Sequence, residues 1–186
     1  DILALDTIQN HIKLQDLLRL IAFQVGSEVS YSELGQQLGL ASQTVSHYID
    51  LLERSFVLFR LRVFSRNLRK EVNRKPKLYF FDCGIRNALI GNFNYLSVRN
   101  DVGALWENFL VSERLKRNKY THHFCSSYFW RTYTGAELDY LEAHNGQLYG
   151  FELNWKKISK APKAWLDVYK GSFLSVNKTN SLDFIL

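Results

Sequence analysis

The sequence predicts a mixed α/β chain, α+β overall, in which a winged helix-turn-helix precedes an α/β module built on a mixed sheet. Three observations predict it. Apolar residues recur at helical spacing through the first fifty positions. A β-branched and aromatic run with a basic loop follows, and short alternating segments broken by Thr134-Gly135 and Asn145-Gly146 come later.

From Asp6 to Phe23, residues Ile8, Ile12, Leu14, Leu17, Leu18, Leu20 and Ile21 give one apolar helical face. That helix should end near Gly26. Ser30 stands three residues before Glu33, the spacing at which a hydroxyl and a carboxylate satisfy each other's exposed helix-end NH groups, so a second helix starts there. It stops at Gly39, and the turn Leu40-Ala-Ser42 is short enough to impose an angled helix pair. A third helix spans 43–53. Val45, Ile49 and Leu52 form its inner face, which leaves Gln43, Thr44, Ser46 and His47 outside, where base edges are read in such modules.

Residues 56–64 then read as a strand carrying Arg60 and Arg62, and residues 77–82 as its partner. The loop between them holds Arg66, Arg69, Lys70, Arg74 and Lys75 against one acid, Glu71, which is the charge of a wing that touches phosphate. Modules of this order also serve as structural joints or protein contacts, so nucleic-acid binding is one of two readings.

A short helix over 85–89 leads into residues 91–100, rich in turn formers, which read as a linker. Residues 103–116 form an amphipathic helix with Glu107 and Glu113. Strands follow at 128–131 and 137–141, and Asn145-Gly146 marks a type I′ hairpin into 147–155, because both central residues need positive φ. Alternation puts Glu152, Asn154 and Lys156 on one face, with Asp139 beside Glu152 on the partner strand. Two strand carboxylates and a helix acid are hard oxygen ligands of the kind that hold Mg²⁺ with room for water and phosphate. Glu137 and Asp139 also fit exposed strand acids near a turn. His122, His123 and Cys125 lack a second clustered pair at zinc spacing and read as strand-entry residues. For Lys156, Lys157, Lys160 and Lys163, phosphate contact and a soluble helix start both stay open.

The 186 residues carry a net charge of +6, which permits a polyanionic partner, and no apolar run approaches a membrane span. Nothing reads as a secretory leader, and Cys83 and Cys125 lack disulfide-scaffold density, so a cytoplasmic protein with free thiols and no membrane partner is expected. The absence of methionine suggests a fragment. GxxxxGK[ST] is absent too, so ATP binding through a phosphate loop is not expected of this chain.

Trp130-Arg131, Gly135-Ala-Glu-Leu-Asp139 and Gly150-Phe-Glu152, preceded by Trp106-Glu-Asn-Phe109, resemble the restriction-endonuclease-like PD-(D/E)xK module that follows a winged helix in a large group of prokaryotic AAA-type ATPases. Ser42-Gln-Thr-Val45, Tyr48-Ile-Asp-Leu-Leu52, Pro76-Lys-Leu-Tyr-Phe80 and Asp82-Cys-Gly84 resemble the same group's winged-helix segment. With the turn-forming stretch as the joint, a winged helix over 1–91, a linker over 92–102 and a nuclease-like domain over 103–186 are expected, and the resemblance implies ATP bound by a preceding ATPase domain of the same chain. It implies Asp139 and Glu152 as metal ligands and Glu107 as an auxiliary acid. The lysine of the family's E-x-K is Asn154 here, with Lys156 the one substitute, so a degenerate nuclease-like site in a nucleic-acid-binding module is expected. An active Mg²⁺-dependent nuclease and a protein-interaction or regulatory domain are the alternatives.

Overall fold

A computed structural model describes residues 11–66 and 74–186 of the chain. It is a mixed α/β structure that divides into two compact units, Asp1–Arg60 with Lys75–Arg99, and Leu61–Arg74 with Asn100–Leu186. The sequence reading places a single cut at 92–102. The second cut between the units, at Arg99 and Asn100, falls inside that span, and the division groups Leu61–Arg74 with the second unit.

In the first unit, α1 (His11–Phe23), α2 (Tyr31–Leu38) and α3 (Ser42–Arg54) share a core of Leu14, Leu17, Ile21, Leu34, Val45, Ile49 and Leu52. The expected residues 6–10 of the first helix lie outside the described residues, and Ile12, expected on the inner face, is exposed. Ser30 caps α2 by accepting from the Glu33 N–H, and Gly39 ends it in the left-handed region at φ 65°. The chain then turns so tightly that a Cβ on Gly35 would lie 2.5 Å from the Leu40 carbonyl oxygen. Only glycine permits that approach. Strand β1 (Leu58–Val63) begins in this unit, where Arg60 is clamped by Asp50 and by Glu53 at 2.9 Å. Strand β2 (Lys77–Phe80) is hydrogen-bonded to β1 and receives the chain between α1 and α2 through Gly26 N–H to Leu78 O and Val29 N–H to Pro76 O. Helix α4 (Cys83–Leu89) follows, capped by Asp82, and its buried Arg86 donates to the Ala22 carbonyl at 3.0 Å. A 3₁₀ turn at Leu96–Val98 occupies the expected linker.

The second unit carries α5 (Val102–Tyr120), β3 (Ser126–Arg131), β4 (Glu137–His144), β5 (Gln147–Leu153), α6 (Lys163–Tyr169), β6 (Ser172–Val176) and α7 (Ser181–Ile185). Within it the end of β1 pairs parallel with β3, β3–β4 and β4–β5 are antiparallel, and β5–β6 is parallel across the α6 connection, so the sheet is mixed. Asn145 and Gly146 take φ of 49° and 75°, the signs a type I′ hairpin requires. Trp130, Leu138, Leu141 and Trp165 form the core on one face of the sheet. Tyr140, Phe151 and Phe184 pack on each other, with Arg114 of α5 over the Phe151 and Phe184 rings.

One irregularity controls what β4 presents. Tyr128 pairs with Leu141 but Trp130 pairs with Leu138, so Asp139 and Tyr140 together oppose Phe129. This is a β-bulge, and it puts Leu138 and Leu141, an odd number of residues apart, into the same apolar cluster.

Candidate functional site

Asp139 is buried, which removes the reading of it as an exposed strand acid, and its Oδ2 accepts the Leu153 N–H at 2.8 Å. The bulge therefore turns this carboxylate onto the backbone of β5, one residue from Glu152. Glu137 lies at the start of β4, 3.6 Å from Arg131. Glu152 is half-buried, and its Oε1 accepts from the Asn154 amide at 3.4 Å. That amide also donates to Ser159 Oγ at 3.0 Å, and the Ser159 N–H donates to Ser175 Oγ on β6. Asn154 is thus a strut between β5 and the following loop, a neutral group where E-x-K has a cation.

Strand β5 ends at Leu153, two residues sooner than expected, and Lys156 sits exposed in a bend. The Asn154 N–H still donates to the Val176 carbonyl on β6 at 2.9 Å, but the chain bends at Trp155 and Lys156, so strand alternation ends before Lys156. Glu107 lies on α5, half-buried. Its neighbour Trp106 packs edge-on against Trp155 at 4.9 Å, which brings that turn of helix to the end of β5. Sequence spacing missed Lys178, whose ammonium lies 5.4 Å from the Trp155 ring centroid. It arrives from beyond β6, and no local pattern links it to Glu152. Among the described residues, Asp139, Glu152 and Glu107 do not close into a three-ligand metal group.

In the first unit, α3 presents Gln43 and His47 fully outward and Thr44 and Ser46 partly so, as its inner Val45, Ile49 and Leu52 require. Of the basic loop, Lys75 is ion-paired with Glu33 at 2.8 Å, which holds the Glu33 carboxyl below its ordinary range. In the second unit Arg74 donates to the Arg131 carbonyl and lies over the Tyr133 ring, while Arg66 lies over Tyr169 beside a cavity of about 360 Å³ that Lys170 and Ser172 also line. Arg69 and Lys70 lie outside the described residues.

A second polar cluster lies further along β4. Glu142, 2% exposed, receives Arg114 through both oxygens at 2.8 Å and the Asn118 amide at 2.5 Å. Burial alone would raise its pKa, but hydrogen bonds and charge from Arg114 outweigh that and hold it below the ordinary carboxylate value. Burial, then the Glu142 charge, push the Tyr140 hydroxyl well up and the Cys125 thiol up.

The first unit is thus helical with a tight two-helix turn, and the second carries a mixed sheet with acids on the adjacent strands β4 and β5. The chain belongs to the family described as domain of unknown function DUF8612, whose model matches residues 1–96. Residues 102–173 match a second family, domain of unknown function DUF4143. Uncharacterized proteins of Mycobacterium tuberculosis and Mycobacterium bovis are each 32% identical over 136 residues, 72% of this chain. The chain spans 30% of the length of these relatives. No solved structure matches it. Among the described residues, no helix is long and apolar enough to cross a membrane.

Proposed function

We propose that this chain is the C-terminal region of an AAA-type ATP-binding protein, in which a winged helix-turn-helix docks nucleic acid and a restriction-endonuclease-like unit keeps its acids without hydrolytic competence. The observation that carries the binding half is the outward face of α3, where Gln43 and His47 stay exposed beside a fully buried inner face. A strand-end Asn154 bonded to Glu152 and Ser159 supports the non-hydrolytic half. Mg²⁺, if held, would rest on Asp139 and Glu152 with water, but no neighbouring lysine on β5 would orient hydroxide or offset developing charge. The length of the mycobacterial relatives is consistent with an ATPase domain elsewhere in the parent protein.

Fluorescence anisotropy with duplex DNA over a salt series tests the reading. Binding should be weak, with little sequence preference and a steep fall with salt. Replacing Arg66, Arg69, Lys70, Arg74 and Lys75 together by Ala should flatten the salt slope by about one for each of these side chains that neutralises a phosphate. An unchanged slope would remove the wing from the account.

One observation favours a second reading, a protein contact with the ATPase domain of the same chain. Phe93, Tyr95 and Val98, clustered in six residues, are each more than 70% exposed. Loss of ATPase-domain association on Phe93→Ser and Tyr95→Ser, with DNA affinity intact, would support that reading.

A further inference from the structure

We propose that His123, Cys125 and Glu142 form a binding site for a divalent cation of the zinc class. One ligand atom from each, an imidazole nitrogen, the thiol sulfur and a carboxylate oxygen, lies within 4.8 Å of the other two. The residues come from three places. His123 lies in the loop after α5, Cys125 immediately before β3, and Glu142 on β4. The pairing Ser126↔Ala143, carried one residue outward, sets Cys125 opposite His144, so alternation puts Cys125, Glu142 and His144 on one face of the sheet.

The surroundings are those of ligands held in place. The His123 N–H donates to the Asn118 carbonyl at 2.8 Å, and the Asn118 amide donates to Cys125 Sγ at 3.3 Å and to Glu142 Oε1. Glu142 Oε1 takes Arg114, Asn118 and Tyr140, whereas Oε2 takes Arg114 Nη2. A carboxylate oxygen has two lone pairs, so Oε2 retains one for a metal. His144 lies beside the group, its ring centroid 4.6 Å from that of His123. Its Nδ1 is 2.7 Å from the Phe124 carbonyl, which can only accept, so Nδ1 carries the proton and the Nε2 lone pair is available. Three protein ligands of N, S and O type leave one tetrahedral position, for His144 or for water. Mixed nitrogen and sulfur donors select a borderline-soft ion over Mg²⁺ or Ca²⁺.

Binding converts the Cys125 thiol to a thiolate bonded to the metal and releases one proton to solvent, with no change of oxidation state. The Arg114 guanidinium remains on Glu142 and repels the incoming ion, and the new thiolate offsets that repulsion. Glu142 lies about 10 Å along β4 from Asp139, so the site is separate from the nuclease-like acids and does not depend on the proposed function.

The test is titration of the chelator-stripped chain with Co²⁺, read by absorption, followed by displacement with Zn²⁺. One equivalent should bind with a thiolate-to-cobalt charge-transfer band that Zn²⁺ abolishes. Cys125→Ser should remove the band, Cys83→Ser should leave it unchanged, and His123→Asn should weaken affinity at least tenfold, with far-UV circular dichroism confirming that each variant is folded. No charge-transfer band, or a band that survives in Cys125→Ser, would overturn the site. Retention of full affinity in both His123→Asn and Cys125→Ser would do the same.

Discussion

The two units bury different charges. Among the described residues, the first buries cations, Lys77 and Arg86, while the second buries acids, Asp139 and Glu142. Arg86 acts as a cross-tie, donating to a helix-end carbonyl at Ala22. Glu142 instead gathers a network of Arg114, Asn118 and Tyr140, and Asp139 replaces part of a strand ladder. Charge in the first unit therefore serves assembly. In the second it concentrates polar chemistry on one strand, β4.

Tryptophan separates the two experimentally, because Trp106, Trp130, Trp155 and Trp165 all lie in the second unit. The largest expected effect is on Arg114→Met. Removing the guanidinium strands a buried carboxylate and should cost about 3–5 kcal/mol. Urea unfolding followed by tryptophan fluorescence should shift accordingly, and an unchanged midpoint would mean that Glu142 finds solvent or a proton cheaply.

Gly35→Ala is the counterpart in the first unit. The added Cβ meets backbone, not a flexible side chain, and a loss of about 1–3 kcal/mol is expected. It should appear in far-UV circular dichroism and leave the tryptophan transition in place. A shift of both together would show that the units unfold as one.

Acid should act on the second unit. The folded pKa of Glu142 lies below its unfolded value of about 4.3, so its contribution to stability is complete above that pH and is lost as pH falls through the folded value. The tryptophan-reported midpoint should drop on acidification below about pH 4.5, and in Glu142→Gln that dependence should be shallower.

Much of this was legible in sequence where patterns are local. The capped start of α2 at Ser30, its stop at Gly39, the inner face of α3 and the Asn145-Gly146 hairpin each follow from residues within a few positions of one another. The candidate site was legible only as far as residue type. Strand alternation predicted the direction of Asp139, but the bulge inserts a residue at that point and turns the carboxylate onto Leu153. The same rule carried alternation on to Lys156, whereas β5 ends at Leu153 and the chain bends at Trp155 and Lys156. His123 and Cys125 lacked a partner in local sequence because Glu142 reaches them through the fold, and Lys178 reaches Trp155 in the same way.

Smaller effects belong to the outward face of α3. Gln43→Ala and His47→Ala should each change DNA affinity less than twofold on random sequence, and more only if bases are read. Anisotropy on two unrelated duplexes distinguishes these outcomes.

The measurement that bears most directly on the central claim is one gel, with end-labelled duplex DNA incubated with the chain in Mg²⁺ and again in Mn²⁺, each lane run native and denaturing. The account predicts a retarded band whose DNA is intact, with cleavage absent in the starting protein and in Lys156→Ala. Metal-dependent cutting that disappears in Asp139→Ala, or DNA that is neither retarded nor cut, would contradict it.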